Sequence, residues 1–316
     1  MKKIKYLPLI CLTPFLVTGC NKVIKPSFKK SGLKIDAQSF VYDLTKMAEK
    51  NSFLNKESLD GSVNEENFSS FILKSHERSV SKSYLKRGNK KFDRVNTSTN
   101  NRFTLKYSSN RNVLKEQSKT YFKNSVSHDS FHNSETIRNN STTFTQEAKK
   151  DGEIYAARID ENRKQYEFLN ASYFESFEDY LKFYLILTIK DNISSFLDSV
   201  VCDQEYVTYY ENDGIFTIEI DEKAEDRTET REDIIFYVEN NSNYEKAQLQ
   251  FLKNDEIRVL YYSETHMKRN YKIAGDGYCE GDELYEITSS SVTTKIKKKD
   301  VKVKSKDLSK YKESIN

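Results

Sequence analysis

His128-Asp129-Ser130-Phe131-His132 places two imidazoles four residues apart. On a helix that spacing puts both rings on one face. There they can share a zinc ion, with a Glu after the first histidine as general base. Here Asp129, one methylene shorter, stands in that place, and the flanks Ser125 to Ser127 and Asn133 to Ser134 read as loop. No third ligand is evident, so the stretch is read as a polar loop. Gly275 to Asp282 packs three glycines and three acids into eight residues. An EF-hand needs oxygen ligands at alternate positions and a Glu at the twelfth. Counted from Asp276, the third position is Tyr278 and the twelfth is Ile287, so the pattern fails and a tight connection between strands remains. The chain has nine glycines, no glycine-rich phosphate loop and no G-x-S-x-G elbow. These residues assign no catalytic group, no metal ligands and no cofactor, and an enzyme is not expected.

The thiols are more informative. Lys2, Lys3 and Lys5 form a basic N-terminal region without an acid. Residues 6–17 are apolar apart from Thr13, with Pro8 and Pro14 inside the run. A bilayer-spanning helix needs about 20 residues, so this run fits the core of a signal peptide instead. Small Thr18 and Gly19 then precede Cys20. Leu16-Val17-Thr18-Gly19-Cys20 resembles the lipobox of bacterial lipoproteins. The resemblance implies cleavage before Cys20, a diacylglyceryl group on its sulfur, and an anchored extracytoplasmic body. One acyl chain binds membranes only reversibly and two hold a protein there; the family pattern implies at least two. Cys11 leaves with the signal peptide. Cys202 and Cys279 remain, as a disulfide or as two buried thiols. A bond between them would contribute about 4 kcal/mol by closing a long loop.

With 316 residues the chain can bury one large core or two small ones. Charged residues make up 31% and Tyr and Phe supply an aromatic share of 13%, which describes a folded, strongly solvated body. The net charge of +3 is matched by the three lysines of the signal peptide. Residues 21–35 hold five lysines and no acid, and residues 295–312 hold nine lysines against Asp300 and Asp307. Charge gathered at both ends does not suit a nucleic-acid protein, whose basic residues form a stripe on the fold. The expected partners are a membrane, through the anchor, and a lipid or other apolar ligand, with no nucleic acid.

The elements follow from periodicity. Ala37, Phe40, Val41, Leu44, Met47 and Ala48 fall on one helical face behind Asp36, a candidate cap. Ser62 and Glu65 make a capping box for a second helix over 62–75. Residues 75–100 show no periodicity. Strand texture begins near Arg102, and Asp151-Gly152 marks a hairpin between 142–148 and 153–159. Residues 177–201 read as helix, apolar around most of the circumference near Tyr180 to Ile189. A strand meander is predicted over 204–211, 215–221, 233–240, 244–253, 256–264 and 284–297. The dense charges of 221–233 read as a solvated loop.

Helix, strands, buried helical segment, strands: this order resembles the LolA and LppX/LprG-like superfamily. Many of its members are lipid-binding lipoproteins. The resemblance implies an α+β fold, a curved antiparallel β-sheet, half-barrel-like, with helices packed on one face. The division expected is 1–19 signal peptide, 20–35 lipidated Cys and basic tether, 36–298 body and 299–316 basic tail. The implied function is that of a membrane-anchored lipoprotein carrying an apolar or amphiphilic ligand, held at Tyr180, Tyr184, Leu185 and Ile189. The alternative is a cell-surface adhesion or interaction lipoprotein without a cavity.

Overall fold

The computed structural model describes residues 23, 25–50, 70–128, 131–169, 206–223, 225–231, 234–253, 256–271 and 280–314, with single positions between 177 and 196. Cys20, Cys202, Cys279 and Ile189 lie outside the described residues. The chain opens with β1 (Leu33–Ile35) and α1 (Ala37–Glu49). β2 (Phe71–Arg87), β3 (Lys90–Ser108), β4 (Val113–His128), β5 (Phe131–Lys150), β6 (Glu153–Asp160) and β7 (Gln165–Leu169) follow. Helical positions between 177 and 196 come next. Then come β8 (Val207–Glu211), β9 (Ile215–Lys223), β10 (Arg227–Arg231), β11 (Ile234–Leu252), β12 (Glu256–Tyr271), β13 (Glu283–Lys298) and β14 (Lys312–Glu313).

These strands form one fourteen-stranded sheet in the order β1-β8-β9-β11-β12-β13-β2-β3-β4-β5-β6-β7-β14, with β10 against β11. Among the described strands only β14 with β7 is parallel. β13 pairs with β2 from Lys298↔Phe71 to Glu283↔Lys86, so late and early strands share one body. The expected α+β architecture is therefore overturned. The chain is mostly β, and its helices are short additions to one large sheet. The reason lies in strands that periodicity did not mark. Residues 75–100 and 131–141 alternate polar with polar, yet they complete β2, β3 and β5 because backbone pairing does not need an apolar face. Phe71, assigned to a second helix by its spacing, begins β2 instead. Ser125 to Ser127 and Asn133 to Ser134, expected as loop, are paired between β4 and β5.

Turns are placed where residues tolerate positive φ. Asp151 and Gly152 have φ of 54° and 89° and join β5 to β6. Asp213 and Gly214, at 47° and 77°, join β8 to β9. Such two-residue loops match the twist of the strands they connect. Asp36 accepts from the Ser39 N–H at 2.8 Å and starts α1 as predicted.

Two main cores lie on opposite faces of the sheet, and a small third cluster gathers Leu85 and Tyr271 with Phe92, Met267 and Leu284. On the first face Phe71, Leu73, Leu105, Leu114, Leu249, Ile257 and Ile296 are buried together with Phe216 and Ile218. α1 adds Phe40, Leu44 and Ala48, and the later helical positions add Phe177, Leu181, Leu185 and Phe196. The Phe40 ring lies 5.1 Å from Tyr209, 5.5 Å from Phe216 and 6.3 Å from Phe196. On the second face Val113, Phe144 and Ile159 receive Val301 and Val303 of the C-terminal segment. Each buried side chain of this size stabilises by about 1.5–3 kcal/mol. Among the described residues no helix is long and apolar enough to cross a membrane.

Candidate functional site

Residues directly opposite in paired strands share a face. The register therefore assigns every side chain of the long hairpins. Arg78 of β2 is opposite Asn100 of β3, which is opposite Tyr121 of β4, which is opposite Arg138 of β5. Lys74 and Lys82 share the face of Arg78. Arg102 and Lys106 on β3, and Lys115, Lys119 and Lys123 on β4, lie there too. At the same-face positions of 72–82, 96–106, 115–125 and 134–144 there is no carboxylate. Among the described residues none of these cations is in an ion pair. This is the second face, the one that carries Val113 and Phe144 nearer the strand ends.

The other side of the same strands carries Glu77, Glu116 and Glu135 over these positions and no lysine or arginine. Ser75 bonds Thr294 at 2.9 Å, and Asn101 Nδ2 donates to Glu77 at 3.1 Å. Ser263 and Ser290 bond at 2.7 Å. Short hydroxyl and amide groups satisfy one another across the strands there.

The cationic face shapes its own titration. Arg78 Nε donates to His76 Nε2 at 3.0 Å, and Asn100 Oδ1 lies 2.9 Å from the same nitrogen. Burial lowers the His76 pKa, the Asn100 bond opposes this, and the charges of Arg78 and Arg102 lower it further. Burial also lowers Lys115, with the charges of Lys106 and Lys306 adding to it. The Arg138 guanidinium lies 5.4 Å from the centre of the Tyr121 ring.

Towards β9, β11 and β12 the same face is balanced. Lys246 and the Tyr244 hydroxyl both meet Glu219, at 3.3 and 2.7 Å. Glu264 accepts from Tyr262 at 2.7 Å and pairs with His266. Glu283 takes Lys86 at 2.7 Å and Lys268 at 2.9 Å. The N-terminal segment is seated here. The Lys29 N–H donates to Gln248 Oε1 at 2.9 Å, and Gln248 Nε2 donates back to the Lys29 carbonyl at 3.1 Å. Gln248 also donates to Thr217 at 2.9 Å, and both are fully buried. Lys25 Nζ lies 4.4 Å from the Tyr244 ring centre and 5.0 Å from that of Tyr262. Tyr262 is opposite Ser291, and Ser291 is opposite Arg78. The leader thus enters the sheet in the row of Arg78, Tyr121 and Arg138.

The residues nominated from sequence sit elsewhere. Leu185 is 1% exposed inside the first core. Tyr180 and Tyr184 stack at 5.9 Å, both half-buried. The Tyr184 hydroxyl donates to Glu116 at 2.5 Å, and burial followed by that carboxylate pushes the phenol far up. Phe183 and Leu187 of the same segment are 52% and 39% exposed. His128 is opposite Phe131 and His132 opposite Ser127, so the two imidazoles lie on opposite faces and cannot share a metal ion. His128 bonds Asp93 instead. A cleft of about 260 Å³ opens on β6 and β7. Arg158, Asp160, Arg163 and Glu167 line it with both signs of charge.

The basic face itself was not among the sequence expectations. Its signal is present: Lys74, His76, Arg78 and Lys82 recur at even spacing, as do Lys115, Lys119 and Lys123. No family model matches the chain, and no curated protein matches it. Among solved structures, the outer membrane protease OmpT from Escherichia coli aligns at 5% identity and a TM-score of 0.23. The alignment covers 73% of this chain and 96% of that one. An outer membrane channel from Pseudomonas putida F1 aligns at 8% identity and a TM-score of 0.20, again over 73% of this chain and 96% of that one.

Proposed function

We propose that the chain is an extracytoplasmic lipoprotein, held to a membrane through Cys20, whose sheet is a binding platform. Its role is to bind, not to catalyse. The observation that carries the platform reading is the division of the long strands. β2 to β5 are each 16 to 20 residues long; the two larger apolar cores occupy one end of them, and a small cluster around Leu85 and Phe92 closes the far end of β2 and β3. What remains is a broad two-faced polar surface, far more than a scaffold for the cores requires. Among the described residues the long strands β2 to β5 are polar on both faces over most of their length, and in this reading the anchor at Cys20 supplies the membrane attachment.

Burial of Leu181 and Leu185 in the first core favours the platform over a carrier. The carrier reading, with ligand at Tyr180, Tyr184, Leu185 and Ile189, draws on exposed Phe183 and Leu187. Native protein extracted with organic solvent separates the two: an empty extract is expected, and a stoichiometric lipid would restore the carrier. The anchor is tested on the same preparation. Mass spectrometry of the N-terminal peptide is expected to find a diacylglyceryl group on Cys20, and Cys20→Ala is expected to abolish detergent partitioning. An unmodified Cys20 in membrane-derived protein refutes the anchor.

A further inference from the structure

We propose that the cationic face of β2 to β5 rests on the anionic lipid headgroups of the membrane that holds the anchor. The inference rests on the reading of Cys20 for which side of the sheet looks at the bilayer. Lys25 is seated over Tyr244 and Tyr262 on this face. Five residues of chain reach at most about 18 Å, so an acylated Cys20 enters lipid close to the same side. Tyr262 is two strands from Arg78 and five from Arg138 along one row. At about 4.8 Å per strand that is about 10 to 24 Å, a lateral offset that a tethered sheet covers by lying flat.

Charge then decides what the face meets. Lys119, Arg102 and Arg138 are exposed and Arg78, Lys82 and Lys123 are half-exposed. No same-face carboxylate of β2 to β5 neutralises them. A leaflet rich in anionic phosphates supplies the missing counter-charge, and lysines and arginines near such a surface add to binding one by one. An array two-dimensional in extent also suits a surface of headgroups better than one linear polyanion. Cations stand on all four adjacent strands, and the opposite face, with Glu77, Glu116 and Glu135 and no lysine or arginine at the same positions, has no such attraction.

The test uses the full chain with Cys20→Ala, so that no acyl group contributes. Sedimentation with phosphatidylcholine vesicles, with and without phosphatidylglycerol, reads the affinity at low and high salt. Preferential binding to the anionic vesicles, weakened by salt, is expected. Lys119→Glu, Lys123→Glu and Arg138→Glu together are expected to lower that binding roughly a hundredfold or more, without changing binding to neutral vesicles. The control triple Lys50→Glu, Lys90→Glu and Lys253→Glu makes the same change in net charge at a helix end, a strand end and a turn, and should keep most of the affinity. Where the first triple fails to fold, the Gln versions of the same three residues replace it, with a smaller loss expected. Equal loss in the control, or no loss in the face variants, overturns the proposal. So does tighter binding to soluble polyphosphate than to vesicles. The vesicle result does not depend on acylation, so failure of the anchor and failure of this face are told apart.

Discussion

At the scale of single residues, the least replaceable polar contacts close the hairpin of β12 and β13. Arg87 reaches from β2 and donates through Nε to Asp282 Oδ1 at 2.7 Å and through Nη2 to Oδ2 at 2.8 Å. Asp282 is fully buried, while the Arg87 side chain is half-exposed. A buried carboxylate that loses its partner keeps its full desolvation cost. Arg87→Leu is therefore expected to destabilise by about 2–3 kcal/mol, discounted for that exposure, read as a lower urea midpoint. Glu283, next in sequence, behaves differently. Hydrogen bonds from Lys86, then Lys268, hold its pKa down to about 2. A carboxylate whose folded value lies below the unfolded one contributes stability that is complete above the unfolded value. It is lost as pH falls from about 4.3 toward the folded value. Glu283→Gln should melt below the parent at neutral pH, and the gap should close as pH falls from about 4.3 to about 2.

At the scale of elements, legibility followed the apolar pattern. α1 was readable to within a residue because Phe40, Leu44 and Ala48 all turn inward behind the Asp36 cap. The β5–β6 hairpin was readable from Asp151-Gly152. Asn212-Asp213-Gly214 was readable in the same way, and it also carries a packing demand. Gly214 has φ of +77°, and a Cβ there would meet Met47 Cε of α1 at 2.9 Å. Gly214→Ala is expected to cost about 1–2 kcal/mol, through strain at positive φ and a displaced Met47. A melting-temperature drop that Met47→Ala partly rescues would show the second part. The polar halves of β2, β3 and β5 were not readable, because a strand with two polar faces has no hydrophobic period. In β2 the signal is the even spacing of Lys74, Arg78 and Lys82, which a solvated loop shares. The same ambiguity hid the strand Arg227–Arg231 inside a charge run.

At the scale of the molecule, two segments far apart in sequence, around Lys29 and Lys306, are clasped on one face of the sheet. The N-terminal segment is held by Gln248, and the C-terminal segment by Gln146. Gln146 Nε2 donates to the Lys306 carbonyl and its Oε1 accepts from the Lys306 N–H, each at 2.7 Å. Between β13 and this clasp the chain alternates. Val301 and Val303 are 7% and 4% exposed against Val113, Phe144 and Ile159, while Lys302 and Lys304 point to water. The lysines of 295–312 thus ride on a segment fixed by its valines, and they extend the basic face beyond β2 to β5. Burying two valines contributes about 3–5 kcal/mol, and a carboxylate in their place would add a desolvation cost. Val301→Asp with Val303→Asp is therefore expected to lower the urea midpoint by an amount equivalent to at least about 3 kcal/mol. Lys302→Asp with Lys304→Asp, one residue out of phase, should change it by less than about 0.5 kcal/mol. If both pairs proved equally mild, the segment would be a loose tail, and the second core would have to hold without it. If both were equally severe, charge and not the inward face of the valines would be what fixes the segment to the sheet.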